Sequence, residues 1–411
     1  MTACGLPSSS RQTTISCPRR RKARGASDSS CMGKRQYQKS RSRGSCVASI
    51  FMTLSRCFLL FIRYDNAAHA WQVKKIVYGQ KISRRALVMT GCMGAGAALA
   101  MPYVGARAGT RPFTLMTNWY AQPDQGGFYQ ARETGLYRRA GLDIQIRSGS
   151  PQLNAPQMLL SGAVDAIIGF DTQVILQRAK GLPVKAVAAI FQQDLEGLIA
   201  HTDVNQPEEL RTRTLLLAPS SMAAYWPWMK QRFGFSDNQV RPYAYNLQPF
   251  VIDPSVAIQA ILTAEPCDLQ RRNVPFRFFT LADYGYPPYS GTIVTRDDTL
   301  TQDAGRLRAF LKVSMEGYRD YLLGDPTPGN NAIMRENRLL DAAHVACARD
   351  ALRRSNACFS GDAVQGGLGI MTAARWQATA RMMADTGQIA DAAVWKEAFT
   401  TEFLPTTSVV P

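Results

Sequence analysis

The feature that most constrains the fold is an alternation of short apolar runs with segments of helical spacing, which starts near residue 109. This order predicts strands connected through helices, so that most strands run parallel in a sheet covered on both faces. In the first stretch the predicted strands are 113–118, 142–147, 163–170 and 184–191, and the predicted helices are 126–140, 156–161 and 172–180.

The same pattern restarts after a polar linker at 201–209, which predicts a second lobe. Its predicted strands are 213–218, 239–245 and 276–281, and its predicted helices are 222–233 and 255–263; beyond an apolar run at 291–295, helical spacing recurs at 303–323, 341–353, 372–386 and 391–399. The expected fold class is therefore α/β, with two doubly wound lobes, a hinge and C-terminal helices. Lobe 1 comprises 109–202 and 290–405, and lobe 2 comprises 203–289.

The positive charge of the chain lies outside this body. Residues 1–108 carry 19 of the 48 basic residues and 2 of the 31 acidic ones, so the whole excess of +17 belongs to them. A neutral body argues against a nucleic-acid partner. We interpret 1–72 as a basic low-complexity leader, and its apolar run at 47–62 is too short to span a bilayer.

Residues 73–108 have the order of an export signal. Basic residues precede Ser83-Arg84-Arg85, an uncharged run follows at 86–105, and Ala106-Arg107-Ala108 has the form that a signal peptidase cleaves. We therefore expect a periplasmic protein cleaved near Ala108. The arginine pair favours twin-arginine export, although Leu87 stands where that consensus prefers Phe, which leaves Sec export open.

The signal starts some 70 residues into the chain, whereas export signals stand at the N-terminus. We therefore expect translation to begin later, at Met52 or at Val73.

The body offers few residues for metal binding or crosslinking. Cys347 and Cys358 either form a disulfide or remain separate thiols, and Cys267 is the third cysteine. The two histidines, His201 and His344, are isolated in sequence, so we expect no metal site and no cofactor.

Ligands of open α/β sheets bind where strands end and helices begin. The residues there are aromatic, amide, hydroxyl and carboxylate side chains, without Lys or Arg. Such a set would stack a flat polar ring and hydrogen-bond its edges. The predicted ligand-binding residues are Trp119, Asp124, Gln125, Asp171, Gln192, Ser220, Tyr225, Trp226, Asn246, Glu265 and Tyr284.

Several of these residues have a structural alternative. Trp119 could cover the core, Asp171 could cap the helix that follows it, and Tyr225 and Trp226 could pack inside their helix. Tyr284 could belong to a rigid hinge turn.

Particular stretches of the body resemble a known family. They are Asn118-Trp119-Tyr120-Ala121, Gly126-Gly127-Phe128-Tyr129, Ser161-Gly162-Ala163-Val164-Asp165, Ala264-Glu265-Pro266 and Leu281-Ala282-Asp283-Tyr284. They resemble periplasmic substrate-binding proteins of ABC importers, in the branch that binds thiamine-pyrimidine precursors, sulfonates or nitrate. The resemblance implies a type 2 periplasmic binding fold and a monomeric clamp that delivers a small solute to a permease and its ATPase.

One branch of this family is an enzyme, the thiamine-pyrimidine synthase, which consumes pyridoxal phosphate and a histidine of its own. The Lys and His that this branch places four residues apart are matched here by Gly169 and Gln173, and a further His is matched by Gln125. The cysteine cluster of that branch has no counterpart. We therefore expect no catalytic residues and no enzyme activity.

Two solute classes remain. A sulfonate or nitrate needs positively charged or amide donors, which the predicted loops lack. An aminopyrimidine could donate its exocyclic amine to Glu265 or Asp171. The sequence therefore favours a neutral or weakly basic heteroaromatic solute.

Overall fold

The structure is a computed structural model that describes residues 111–411, and the leader and export signal lie outside this range. The strands are β1 (Phe113–Met116), β2 (Ile144–Arg147), β3 (Ala166–Gly169), β4 (Val184–Phe191), β5 (Glu196–Ala200), β6 (Thr214–Leu217), β7 (Val240–Pro242), β8 (Val256–Ile261), β9 (Arg277–Thr280) and β10 (Ser290–Arg296). The helices are α1 (Gly126–Glu133), α2 (Leu136–Arg139), α3 (Ala155–Leu160), α4 (Asp171–Ala179), α5 (Pro219–Ala224), α6 (Trp226–Phe233), α7 (Gln248–Ile252), α8 (Glu265–Arg271), α9 (Asp297–Gln302), α10 (Ala304–Leu323), α11 (Thr327–Glu336), α12 (Ala342–Ser355), α13 (Ala363–Gly366), α14 (Ala373–Asp385) and α15 (Trp395–Ala398).

The strands form two five-stranded sheets, one in each lobe. The first has the order β2-β1-β3-β10-β4 and the second the order β7-β6-β8-β5-β9. In the first sheet β1 is parallel to β2 and β3, and only β10 runs against its neighbours. In the second sheet β6 is parallel to β7 and β8, whereas β5 is antiparallel to β8 and β9. Both sheets are mixed, and the predicted two-lobed α/β architecture is confirmed.

The two antiparallel strands follow from the path of the chain between the lobes. The chain leaves the first sheet at the end of β4 and enters the second sheet with β5. It returns after β9 and re-enters the first sheet with β10. Since β5 and β10 both start at the edge where the parallel strands end, they must run in the opposite direction. The segments 192–195 and 281–289 therefore connect the lobes, and the carboxyl ends of the parallel strands face each other across a cleft.

Aromatic packing holds α1 and α10 against the first sheet. The ring centroids of Phe113 and Phe310 are 4.8 Å apart, and Phe128 meets Tyr318 edge to face at 5.1 Å. The two helices approach so closely that a Cβ added at Gly127 would lie 2.2 Å from the ring of Tyr318. This contact fixes the short turn at 123–125, which directly precedes α1.

Helices α8 and α12 join the lobes at a third place. A disulfide links Cys267 to Cys347 with their Cα atoms 5.8 Å apart. A hydrogen bond between His344 and Asp268 and an ion pair between Arg271 and Asp341 lie beside it. We call these three pairs of residues the interlobe clasp. It replaces the Cys347–Cys358 pairing considered from the sequence, because the Cys358 thiol is buried in the core of lobe 1 and burial raises its pKa.

Two predicted helices differ from the structure, and one strand of the second sheet was not predicted. Residues 255–263, predicted as a helix, contain strand β8, because a strand buried on both faces shows no alternation that separates it from a helix. Strand β5 was not predicted, and since it belongs to the second sheet, that sheet starts before residue 203. The predicted helix 126–140 is interrupted at Gly135, whose φ of +74° is left-handed.

Within residues 111–411 no helix combines the length and the apolar character that crossing a bilayer requires.

Candidate functional site

A small cavity lies between the facing edges of the two sheets. Its volume is about 20 Å³, which is room for one water molecule. Lobe 1 contributes the ends of β1 and β3, the 123–125 turn and α10, and lobe 2 contributes the start of β5 and the end of β8. The lining residues are Asn118, Asp124, Gln125, Ile168, Phe170, Phe191, Leu195, Glu196, Ile261, Ser290, Gly291 and Tyr318.

The 123–125 turn places two polar side chains in the lobe 1 wall. The hydroxyl of Tyr318 donates to the backbone oxygen of Asp124 at 2.8 Å, which ties the turn to α10. The Nε2 atom of Gln125 donates to Oδ1 of Asn118 at 3.2 Å. Gln125 is 1% exposed, so its amide is held inside the wall.

The lobe 2 wall carries Glu196, the first residue of β5. Burial raises the pKa of Glu196, and the nearby hydroxyl of Tyr225 offsets part of this rise. Neither Oε2 of Glu196 nor that hydroxyl makes a hydrogen bond of ordinary geometry. Tyr225 itself is buried at the start of α6.

Three acceptor atoms of the cavity residues are shielded from water and lack a hydrogen-bond partner. They are Oδ1 of Asp124, Oε1 of Gln125 and Oε2 of Glu196. Buried acceptors are almost always paired in folded proteins, because an unpaired one costs about 1–3 kcal/mol. Three such atoms around one cavity indicate a site built to receive donors.

Burial dominates the electrostatics of this region. It raises the pKa of Asp124 to about 7 and that of Glu196 to about 7. It also raises the pKa of Asp194 well above its usual value, and the neighbouring charge of Glu196 adds to this effect. No Lys or Arg lines the cavity, so the site favours a positively charged group or a donor of N–H bonds.

Two carboxylates that were predicted to bind ligand, Asp171 and Glu265, instead accept hydrogen bonds from other parts of the protein. Asp171 accepts bonds from the backbone N–H of Thr172 and Tyr289 and from the hydroxyl of Thr379, at 2.7, 2.9 and 3.2 Å. Glu265 accepts from the hydroxyl of Tyr243 at 3.2 Å and from the N–H of Ile261 at 2.9 Å. Neither lines the cavity, because their oxygens already hold neighbouring strands and helices together.

Three further predicted residues also have structural contacts. Gln192 donates to the backbone of Ile370 at 3.0 Å. Trp226 is buried, and its Nε1 donates to Asp237 at 2.7 Å, which is the interior packing considered as its alternative. The ring of Tyr284 packs against Phe233 on the flank of lobe 2.

Trp119 and Ser220 lie at the mouth of the cleft. The ring of Trp119 in lobe 1 meets that of Tyr245 in lobe 2, with centroids 4.9 Å apart. Ser220 is exposed and close enough to the Tyr245 hydroxyl to influence its pKa. Asn246 is exposed, and its Oδ1 accepts from the N–H of Gln248 at the start of α7. Of the predicted residues the structure therefore brings Asp124 and Gln125 to the cavity, with Tyr225 behind its lobe 2 wall.

Glu196 is the main residue that sequence reasoning missed. It follows the predicted strand 184–191 by five residues, but no element was predicted between that strand and the linker at 201–209. The apolar run Gly197-Leu198-Ile199-Ala200 was the available signal for a strand there.

No group of three or more His, Cys, Asp or Glu residues within 111–411 is arranged to hold a metal ion. Gly169 ends β3 and Gln173 lies in α4, so no amine stands at the position where a pyridoxal-binding lysine would be expected.

The sequence matches a known family over half of its length. The family is described as NMT1/THI5 like, and the match covers residues 122–327. A formylaminopyrimidine-binding protein of Halalkalibacterium halodurans is 23% identical over 54% of this chain and 69% of its own. The riboflavin-binding protein RibY of Chloroflexus aurantiacus is 22% identical over 78% of this chain and 95% of its own.

An enzyme also matches, over a shorter stretch. The 4-amino-5-hydroxymethyl-2-methylpyrimidine phosphate synthase of Aspergillus parasiticus is 24% identical over 25% of this chain and 30% of its own. Among solved structures, the periplasmic aliphatic sulphonate binding protein SsuA of Escherichia coli superimposes with a TM-score of 0.54. It is 12% identical and covers 74% of this chain and 94% of its own. The fold is therefore that of the periplasmic binding proteins.

Proposed function

Since this chain belongs to the NMT1/THI5-like family, we propose that it is the exported solute-binding protein of an ABC importer, capturing a small heteroaromatic solute such as a thiamine pyrimidine precursor. The observation that carries this proposal is the interlobe cavity with its three unpartnered acceptors and no cation. A solute held there contacts both lobes, so its binding energy favours the closed form.

The relatives named as binding proteins support the solute class. The ligands in their names, formylaminopyrimidine and riboflavin, are flat nitrogen heterocycles. The mouth of the cleft offers Trp119 and Tyr245 for stacking such rings. The cavity is smaller than a six-membered ring, so capture requires the lobes to move apart.

The two alternatives fit the residues less well. A sulfonate or nitrate would face Asp124 and Glu196 without a compensating cation, which is unfavourable in a buried site. A pyrimidine synthase would need the lysine and histidine that Gly169 and Gln173 replace. We therefore propose a transport role without catalysis.

The partners follow from this role. The closed protein would dock as a monomer on a membrane permease coupled to an ATPase. Residues 73–108 would direct export by the twin-arginine route, with cleavage near Ala108.

The experiment is to recover the mature protein after export and identify any co-purified ligand by mass spectrometry. Calorimetry then compares 4-amino-5-hydroxymethyl-2-methylpyrimidine with taurine and nitrate. We expect heat from the aminopyrimidine alone. Tight taurine binding with no aminopyrimidine signal would overturn the proposed solute class.

A further inference from the structure

Five carboxyl groups surround the cleft: Asp171 and Asp194 are buried, and Asp124, Glu196 and Glu265 are half-buried. They differ in whether their oxygens already accept hydrogen bonds from the protein. Asp171 and Glu265 accept several bonds from the protein, and Asp194 accepts the backbone N–H of Glu196 at 2.7 Å. Asp124 and Glu196 each keep one oxygen that is inaccessible to water and unpartnered. These two are therefore the carboxyls that keep acceptor capacity for a solute, with the Tyr225 hydroxyl beside Glu196 and the Gln122 side chain beside Asp124.

A third unpartnered acceptor lies at the same cavity, and it belongs to a neutral side chain. Gln125 is 99% buried, and its Nε2 is occupied by Asn118. Its Oε1 has no partner, and the residue lines the same cavity as the two carboxyls. A neutral buried acceptor cannot be explained by repulsion within an acidic cluster, so it is an independent indication of a donor from outside.

We propose that Asp124, Gln125 and Glu196 form one acceptor-only subsite that binds the N–H edge of the solute in its cationic, amidinium-like form. This inference rests on the proposed function, since it specifies the chemical form of the solute at that site. It also assigns this role to Glu196 and Asp124 in place of Glu265 and Asp171.

The chemistry of a flat amine explains why the cationic form is selected. A neutral aminopyrimidine presents its ring nitrogens as acceptors, and these would face further acceptors in this cavity. Protonation of a ring nitrogen beside the amine creates two parallel N–H donors, which can be shared among the unpartnered oxygens of Asp124, Gln125 and Glu196. The positive charge also offsets two buried carboxylates that the cavity otherwise leaves uncompensated.

The two carboxyls lie on different lobes, Asp124 on the 123–125 turn and Glu196 on β5. A cation between them attracts both walls, whereas an anion repels both. Charge therefore selects the solute and favours closure through the same contacts.

The test uses calorimetry on the exported protein with benzamidine, a planar amidinium that stays protonated between pH 5 and 9, and with 4-amino-5-hydroxymethyl-2-methylpyrimidine. Below about pH 7 the carboxyls hold protons that a cation must displace. We expect benzamidine affinity to rise about tenfold per pH unit up to about pH 7 and to level off above it.

The variants Glu196→Gln and Asp124→Asn should each lower affinity for both probes at least tenfold and weaken the pH dependence. Glu265→Gln is the matched control, because both oxygens of that nearby half-buried carboxyl already accept hydrogen bonds from the protein. It should leave affinity within about twofold. Circular dichroism of each variant checks that it is folded.

The outcomes separate this inference from the proposed function. Aminopyrimidine binding that is unchanged by both variants, or that occurs without any benzamidine binding, overturns the subsite while the proposed function stands. Taurine binding without aminopyrimidine binding overturns both.

Discussion

Trp119 and Tyr245 meet across the mouth of the cleft, one from each lobe, and no hydrogen bond holds them together. A flat solute that enters between the lobes can exchange this contact for its own stacking on Trp119. We expect Trp119→Ala to weaken solute binding by about 1 kcal/mol, or roughly fivefold, mainly through faster dissociation. Stopped-flow fluorescence with the aminopyrimidine measures this rate.

Trp395→Ala is the control for this change, because that ring stacks on Phe399 away from the cleft. An equal loss of affinity in both variants would contradict a role of Trp119 at the mouth.

Asp171, in contrast to Trp119, is expected to stabilise the fold without contacting the solute. Replacement by Asn turns one acceptor oxygen into a donor, which faces the N–H of Thr172 in one orientation and the N–H of Tyr289 in the other. We expect Asp171→Asn to lower the free energy of unfolding by about 1–3 kcal/mol and to leave solute affinity nearly unchanged. Urea unfolding measures the first quantity; a large loss of affinity in folded protein would show that Asp171 contacts the solute.

At the residue scale, the sequence predicted side chains that lie near the cleft but did not distinguish those that line the cavity from those that do not. The strand-end rule selected Asp124 and Gln125, which line the cavity, and also Asp171 and Glu265, which do not. All four precede or begin helices, and what separates them is whether backbone N–H groups from distant elements reach the side chain. Such long-range partners, like the N–H of Tyr289 for Asp171, are not visible in local sequence.

At the scale of elements, glycines allow α1 and α10 to pack closely against each other, and this packing positions the lobe 1 wall of the cavity. A Cβ at Gly127 would lie 2.2 Å from the Tyr318 ring, and one at Gly317 would lie 2.3 Å from the backbone oxygen of Gly127. We expect Gly127→Ala to push the helices apart, to lower the free energy of unfolding by about 1–3 kcal/mol and to weaken solute binding by moving Asp124. Thermal unfolding and calorimetry measure the two effects.

Gly305→Ala, at an open position of the same α10, should be neutral or slightly stabilising. A Gly127→Ala protein as stable as this control would mean that the helices adjust without strain.

The interlobe clasp connects an element of each lobe, α8 and α12, through a bond that can be broken chemically. We expect Cys347→Ser to lower the free energy of unfolding by about 2–4 kcal/mol, because the long loop between the cysteines is no longer closed. We also expect solute to dissociate faster, since the lobes lose one tie. Dissociation kinetics with and without dithiothreitol measure this effect, and dithiothreitol should not change the Cys347→Ser protein further.

The helices and strands that were predicted correctly are those whose apolar spacing is visible in the local sequence. The strands of the first lobe and the long C-terminal helices fall close to their predicted positions because their apolar spacing has one interpretation. Strands β5 and β8 were missed because they lie adjacent in the middle of the second sheet, where burial on both faces removes the alternation.

At the scale of the whole molecule, the buried acids make stability depend on pH. Burial raises the pKa of Asp124, Asp171 and Glu196 to about 7, whereas the unfolded chain releases these protons near pH 4. The native state thus binds more protons between these values, so these groups lower the free energy of unfolding as pH rises from about 4 to about 7. Above pH 7 their contribution no longer changes.

Glu196→Gln isolates one of these groups. We expect the difference in unfolding free energy between variant and wild type to grow by about 1.4 kcal/mol per pH unit across this window. Urea denaturation at pH 5, 6, 7 and 8 measures it; parallel curves for the two proteins would contradict a raised pKa of Glu196.

The three ties between the lobes set how the cleft can open. Helix α12 passes the hinge at its C-terminal end, where Gln193 donates to the backbone of Ser355, and carries Cys347 eight residues earlier, about 12 Å along its axis. The mouth lies close to the clasp: the rings of Tyr243 and Tyr245 have centroids 5.3 Å apart, and the Tyr243 hydroxyl donates to Glu265, two residues before Cys267. The disulfide therefore ties the lobes beside the place where Trp119 meets Tyr245. In the oxidised protein this bond limits how far the two rings can part, so we expect flat solutes to enter more readily than bulky ones.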